Sequence, residues 1–149
     1  MKRLIFAFFL HFLTFSGAFA QDLSRWGDIE AFLIEALSPG EEIAAYAWLP
    51  DNPDPDLANE AIGVVYPVLV GAAGNTGIAA GHFYRFKDEM ELNSLVTNLF
   101  GYDPRDARFF ADRIEITTNV LGPNDPRCCP SKVQVWRLPR ADFAAVQVP

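Results

Sequence analysis

Apolar and polar positions along the chain follow two periods. Over residues 22–37, Ile29, Phe32, Leu33, Ala36 and Leu37 recur at helical spacing while Glu30 and Glu35 face away, and Ser38-Pro39-Gly40 stops the run. This predicts an amphipathic helix, with Arg25 and Trp26 at its start and the indole covering the helix end. From Glu42 the period becomes two: Ile43, Ala45, Ala47 and Leu49 share one face and Ala44, Tyr46 and Trp48 the other, a strand that ends at Pro50. Residues 61–70 form a continuous valine-rich run and residues 78–87 a second one. Gly71, Gly74 and Gly77 between them supply left-handed backbone, so the two runs are expected to pair as an antiparallel hairpin.

Asp88 precedes Glu91 at capping-box spacing, and Met90, Leu95 and Leu99 with Leu92, Val96 and Phe100 continue at helical intervals. A second helix over residues 89–100, closed by Gly101, is therefore predicted. Residues 102–108 alternate in charge and read as a turn, in which Arg105 and Arg108 are candidate contacts for a small anion. Phe109 and Phe110 return the chain to the core. Beyond them Ile114, Ile116, Thr118 and Val120 alternate with Glu115, Thr117 and Asn119, the clearest strand in the chain, and residues 132–138 are expected to pair with it across a long tip. Trp136 and the Ile114, Ile116, Val120 face are predicted to be core. The tail after Pro139 has no periodicity and reads as irregular. The expected architecture is one α+β domain, an antiparallel sheet of about four to six strands with helices packed on it.

The first 20 residues change the compartment. A basic Lys2-Arg3 pair, an apolar stretch over residues 4–15 and the small-x-small ending Ala18-Phe19-Ala20 make a secretory signal peptide, with cleavage expected after Ala20. The apolar stretch is short of the ~20 residues that a membrane-spanning helix needs. No cysteine follows it to carry a lipid, so the mature form over residues 21–149 is expected to be soluble, without a membrane anchor, and periplasmic or secreted. The leader holds two of the 12 basic residues and none of the 19 acidic ones. The mature chain therefore has ten bases against 19 acids, a net charge of −9. That balance excludes nucleic acid and anionic lipid surfaces, which need a basic face. It leaves an unknown protein or envelope component as the expected partner.

Little of the chain suggests catalysis. Residues 51–60 offer carboxylates, but an EF-hand alignment on Asn52, Asp54 and Asp56 puts Leu57 where glycine is needed and Gly63 where the bidentate glutamate belongs. The glycines at 71, 74 and 77 match neither a dinucleotide fingerprint nor a P-loop. His82 is the only histidine after the leader, which removes histidine-rich metal sites and reads as a hydrogen-bonded, half-buried strand residue. No cofactor, metal or catalytic residue is predicted.

The unusual chemistry lies in the tip of the second hairpin, Gly122, Pro123, Asn124, Asp125, Pro126, Arg127, Cys128, Cys129, Pro130 and Ser131. After export Cys128 and Cys129 have no third cysteine in the chain, so they are joined to each other, joined to another chain in a homodimer, or left as two buried thiols in a monomer. A bond between neighbours holds Cα atoms at ~3.8 Å across a trans peptide, below the ~4.4–6.8 Å usual for disulfides. An oxidising compartment drives its formation, and Pro126 and Pro130 restrict the flanking backbone. The vicinal disulfide is the favoured state, with the role of rigidifying the tip rather than of redox turnover, because no third thiol of the chain is present to resolve an exchange.

This ten-residue segment, followed by a strand ending in Trp136-Arg137-Leu138, resembles one near the C-terminus of several groups of exported bacterial proteins without an assigned activity, among them the mycobacterial LppP/LprE lipoprotein family. The resemblance implies a small exported domain with a strand on either side of the motif. It does not carry over lipid tethering, for which this chain lacks the cysteine. Three functions compete: a non-enzymatic binding or envelope-associated protein; a copper or zinc binder through Cys128 and Cys129; and a hydrolase using two carboxylates from the acidic loop at residues 51–60 or from Asp103, Asp106 and Asp112. The first is favoured.

Overall fold

The computed structural model describes residues 23–69, 71 and 77–149. The leader at residues 1–20, its cleavage point and residues 72–76 of the glycine-rich turn lie outside them. A one-turn 3-10 helix, Ser24–Trp26, comes first, and Gly27 at φ 73° separates it from helix α1, Ile29–Leu37. The helix starts at Ile29, the first residue of its apolar pattern and later than the expected range from residue 22, because Asp28 is its cap. Its Oδ1 accepts the Ala31 N–H at 3.0 Å, satisfying one of the free donors of the first turn.

Eight strands follow: β1 (Ile43–Pro50), β2 (Glu60–Pro67), β3 (Ala79–Phe86), β4 (Glu89–Val96), β5 (Tyr102–Phe109), β6 (Arg113–Val120), β7 (Lys132–Pro139) and β8 (Val146–Val148). They form two antiparallel meanders, β1-β2-β3-β4 and β5-β6-β7-β8. The α+β expectation of a single sheet with packed helices is thereby corrected: α1 is the one α-helix of the described residues, and the fold is mostly β. Residues 89–100 are not helical. Lys87, at φ 54°, and Asp88 form a tight connection, and β4 folds straight back on β3 with Glu89 opposite Phe86 and Met90 opposite Arg85. Residues 102–108 are likewise strand rather than turn, and the irregular tail contributes β8.

Sheet one is the middle of three layers. Along β2, Ala61 and Val65 face the helix with Trp48 and Phe83, while Ile62, Val64 and Tyr66 face sheet two. Burial on both sides is why the sequence there is an unbroken apolar run. Gly63 lies opposite Gly81. A Cβ at Gly63 would meet Phe83 at 2.7 Å and also strike Leu33; one at Gly81 would lie 2.6 Å from Leu92 and 2.8 Å from Leu37. The glycine pair is the seat of α1. A bulge between Ile43 and Ala45 turns Ile43 to the helix side, against the simple alternation of β1.

Sheet two contributes Ile114, Ile116, Trp136 and Leu138 to the core between the sheets, with Ile116 opposite Trp136 and Ile114 opposite Leu138. The Trp136 indole donates to Thr118 Oγ1 at 2.8 Å, and that hydroxyl donates to the Phe100 carbonyl at 2.8 Å, so both buried polar groups are satisfied. The sandwich is closed at both sides. β1 lies beside β5, and the tail bridges Thr97 to Ala144 while burying Phe143 and Ala145 in the core.

Candidate functional site

The hairpin tip is organised by Asp125. Its carboxylate accepts the Gly122 N–H at 2.8 Å, the Ser131 N–H at 2.7 Å and the Ser131 hydroxyl at 2.8 Å, which ties the two ends of the loop together. The Asp125 N–H returns to the Gly122 carbonyl at 3.2 Å, and Cys129 N–H donates to Pro126 O at 3.0 Å. The backbone N–H groups of Gly122 and Ser131 hold the Asp125 carboxyl below the usual range. Cys128 and Cys129 are joined as a vicinal disulfide across a trans peptide, with Cα atoms 3.8 Å apart. Both are exposed, as are Pro123, Asn124, Pro126 and Arg127, whereas Pro130 is half-buried. Oxidised, the pair offers no thiolate to copper or zinc.

His82 is nowhere near that tip. It sits between the sheets at the far end of β7, an eight-residue strand and hence ~25 Å long. Its Nε2 is 2.9 Å from Glu60 Oε2, and Asn93 Nδ2 is 3.1 Å from its Nδ1. Glu60 also takes a two-pronged grip from Arg140, whose Nη1 and Nη2 donate at 2.7 and 2.6 Å while Nε donates to Phe110 O at 2.7 Å. Phe143 stacks on the imidazole with centroids 4.6 Å apart. Burial holds the His82 imidazole below the usual histidine range, outweighing the hydrogen bond to the Glu60 carboxylate that would raise it. Burial pushes the Glu60 carboxyl up, but the hydrogen bonds of Arg140 and His82 together leave it below its ordinary value. Both ring nitrogens are engaged and the side chain is 6% exposed; the hydrogen bonds of His82 stay within sheet one, to Glu60 on β2 and Asn93 on β4, while the Arg140 grip on Glu60 and the Phe143 stack come from the segment after β7. Sequence reasoning found His82 but not Arg140 or Phe143, since both lie in what read as an irregular tail.

The remaining carboxylates and arginines pair locally. On the outer side of sheet two, Arg105 donates to Asp103 at 2.9 Å and Asn119 at 3.0 Å and lies 3.8 Å from Asp106. Arg108 meets Glu115 at 2.8 Å, beside Arg113 at 2.9 Å. Both candidate anion contacts are thus engaged within the protein. Asp112 is paired with Arg113 at 3.0 Å, so Asp103, Asp106 and Asp112 are not brought together around a cleft. Among the described residues no group of three or more histidines, cysteines or acids is placed to hold a metal.

A cleft that the sequence did not announce lies between the 3-10 helix, α1 and the β3–β4 turn, with a volume of about 390 Å³. Trp26, Ile29, Phe32, Trp48 and Met90 give it apolar walls. Trp26 and Phe32 stand edge-on to Trp48, with centroids 5.5 and 5.9 Å away. The loop after β1 forms one rim. Arg25 reaches Asp54 and Asp56 at 3.0 Å each, and the Trp26 indole donates to Pro53 O at 3.3 Å. Arg85 donates to the carbonyls of Ala58 at 2.6 Å, Asp88 at 3.4 Å and Pro55. Asp88 and Glu89 complete the opposite rim. Trp48 Nε1 is buried without an acceptor among the described residues. Charge is unevenly divided as well: residues 23–101, the helix and sheet one, hold 12 acids and three bases, and residues 102–149 six acids and seven bases. The lining itself holds Arg25 and Arg85 beside Asp56, Asp88 and Glu89, within the acidic layer. No protein-family model, curated protein or solved structure matches this chain.

Proposed function

We propose that the chain is exported on removal of residues 1–20 and acts as a non-enzymatic binding protein, taking a cationic segment of a protein partner in the cleft beside α1. The observation that carries this reading is the cleft itself, whose aromatic walls stand in the acidic half of the molecule. Aromatic faces attract an ammonium or guanidinium group, and the acidic layer steers one inward. Asp88 and Glu89 suit the charge of such a side chain. Export is supported by the leader and by the likeness of the Gly122 to Ser131 segment to exported proteins. The engagement of His82 and the pairing of Asp103, Asp106 and Asp112 with arginines argue against turnover.

The three tryptophans provide the test, since each contributes one indole N–H signal to a nitrogen-correlated NMR spectrum. Titration with short lysine- and arginine-rich peptides carrying one aromatic residue is expected to shift the Trp48 and Trp26 signals saturably, to leave Trp136 in place, and to weaken as salt is added. Acidic peptides of the same length should do nothing. Equal shifts with both peptide classes, or none with the basic set, would remove the reading.

A further inference from the structure

The vicinal disulfide is poorly placed to stabilise the fold. A disulfide acts largely by shortening loops in the unfolded chain, a gain that shrinks with the loop, and neighbouring residues enclose none. Nor is it needed to close the tip, because Asp125 already ties Gly122 to Ser131 through bonds that involve neither cysteine. What the tip does provide is access: Cys128 and Cys129 are both exposed at the apex of a hairpin whose base is fixed. We infer that Cys128–Cys129 is a two-electron exchange site, reduced and re-formed on the folded protein by an external dithiol and its disulfide. This goes beyond the binding role proposed above and does not depend on it.

In the forward step a thiolate of the external dithiol attacks one sulfur of the pair, forming a mixed disulfide and releasing the other cysteine as a thiolate, which takes up a proton. The second thiol of the same reagent then attacks the mixed disulfide and releases the remaining cysteine. The reagent loses two electrons and two protons and leaves as its own disulfide; Cys128 and Cys129 gain both and become a dithiol. No third cysteine of this chain is required, since the reagent supplies both attacking and resolving groups. Because Asp125 remains in place, the loop keeps its shape in either state.

The test uses the mature chain, dithiothreitol as the probe, no denaturant, alkylation and intact mass. Two alkyl groups should enter the reduced native protein, none the untreated one, and oxidised dithiothreitol should restore the unlabelled mass. The melting midpoint should move by less than about 4 °C on reduction. The Gly122 and Ser131 amides should stay protected from hydrogen exchange when the pair is reduced but lose protection in Asp125→Ala, whose cysteines remain joined. Labelling only after denaturation would overturn the inference, and so would loss of protection at Gly122 and Ser131 on reduction alone, which would make the bond a structural staple.

Discussion

His82 is the only histidine after the leader, so the titration of one imidazole can be followed without interference. Its folded pKa lies below the ordinary ~6.5 because burial disfavours the charged ring. The unfolded chain therefore takes up the proton first as pH falls, and stability that is complete above ~6.5 is lost as pH drops toward the folded value. Glu60 acts in the same direction lower down: its folded pKa is also depressed, so its contribution is complete above ~4.5 and is lost on further acidification. The melting temperature of the mature protein should consequently fall between pH 7.5 and 5.5, before ordinary carboxylates titrate. His82→Gln, which keeps a donor and an acceptor for Glu60 and Asn93, should flatten that interval and leave the acid limb below pH 4.5. A parent protein whose stability is level or rising on acidification from pH 7.5 to 5.5 would show that the ring is not held neutral. The sequence made His82 conspicuous by its solitude, whereas its partners come from β2, β4 and the segment after β7 and share no local pattern.

Strands with regular alternation were legible, and those with a competing local signal were not. β6 and β7 follow period two because one face packs on the core, and they pair as their pattern implies. In β4 the capping-box spacing of Asp88 and Glu91 fits a helix equally well, and only pairing along β3 decides against it. β5 hides for a different reason. Its register slips between Tyr102 and Arg105 and again between Arg105 and Arg108, with Asp103 at φ 53° and Asp106 at φ 54°. Two bulges in succession replace period two by period three and set Arg105 and Arg108 opposite Thr117 and Glu115 on β6. Asp tolerates this backbone better than most residues, and a β-branched residue tolerates it poorly. Asp106 has only a 3.8 Å contact to Arg105, so removing its carboxylate should cost little. Asp106→Gly is therefore expected to unfold in urea within ~0.5 kcal/mol of the parent, and Asp106→Val to lose ~1–2 kcal/mol. Equal stability of the two variants would mean that β5 relaxes to a regular strand and the bulge is not imposed by its pairing.

At the scale of the molecule, the last ten residues do more than their sequence suggests. Arg140 crosses from the end of β7 to Glu60 on β2, Phe143 covers His82, and Thr97 and the tail exchange two hydrogen bonds, from Thr97 N–H to Phe143 O at 3.1 Å and from Ala145 N–H to Thr97 O at 2.8 Å. Sheet one thus gains backbone bonds beyond the end of β4, and sheet two gains β8. The tail had no detectable period because it supplies single contacts to two different sheets rather than one repeating face. Phe143 is the point where these roles meet: it is 6% exposed, belongs to the core between the sheets, and holds φ 51° so that its ring can turn inward while its carbonyl serves Thr97. Truncating it removes a large buried ring and leaves a void against a neutral imidazole. Phe143→Ala should accordingly cost ~3–5 kcal/mol, the range for deleting a buried aromatic, despite lying six positions from Pro149. Because the lost ring lies between the layers, one cooperative transition at lower urea is expected, with sheet one and sheet two losing structure together. A loss under ~1 kcal/mol, or a separate early transition confined to the tail, would show that the two sheets hold together without it.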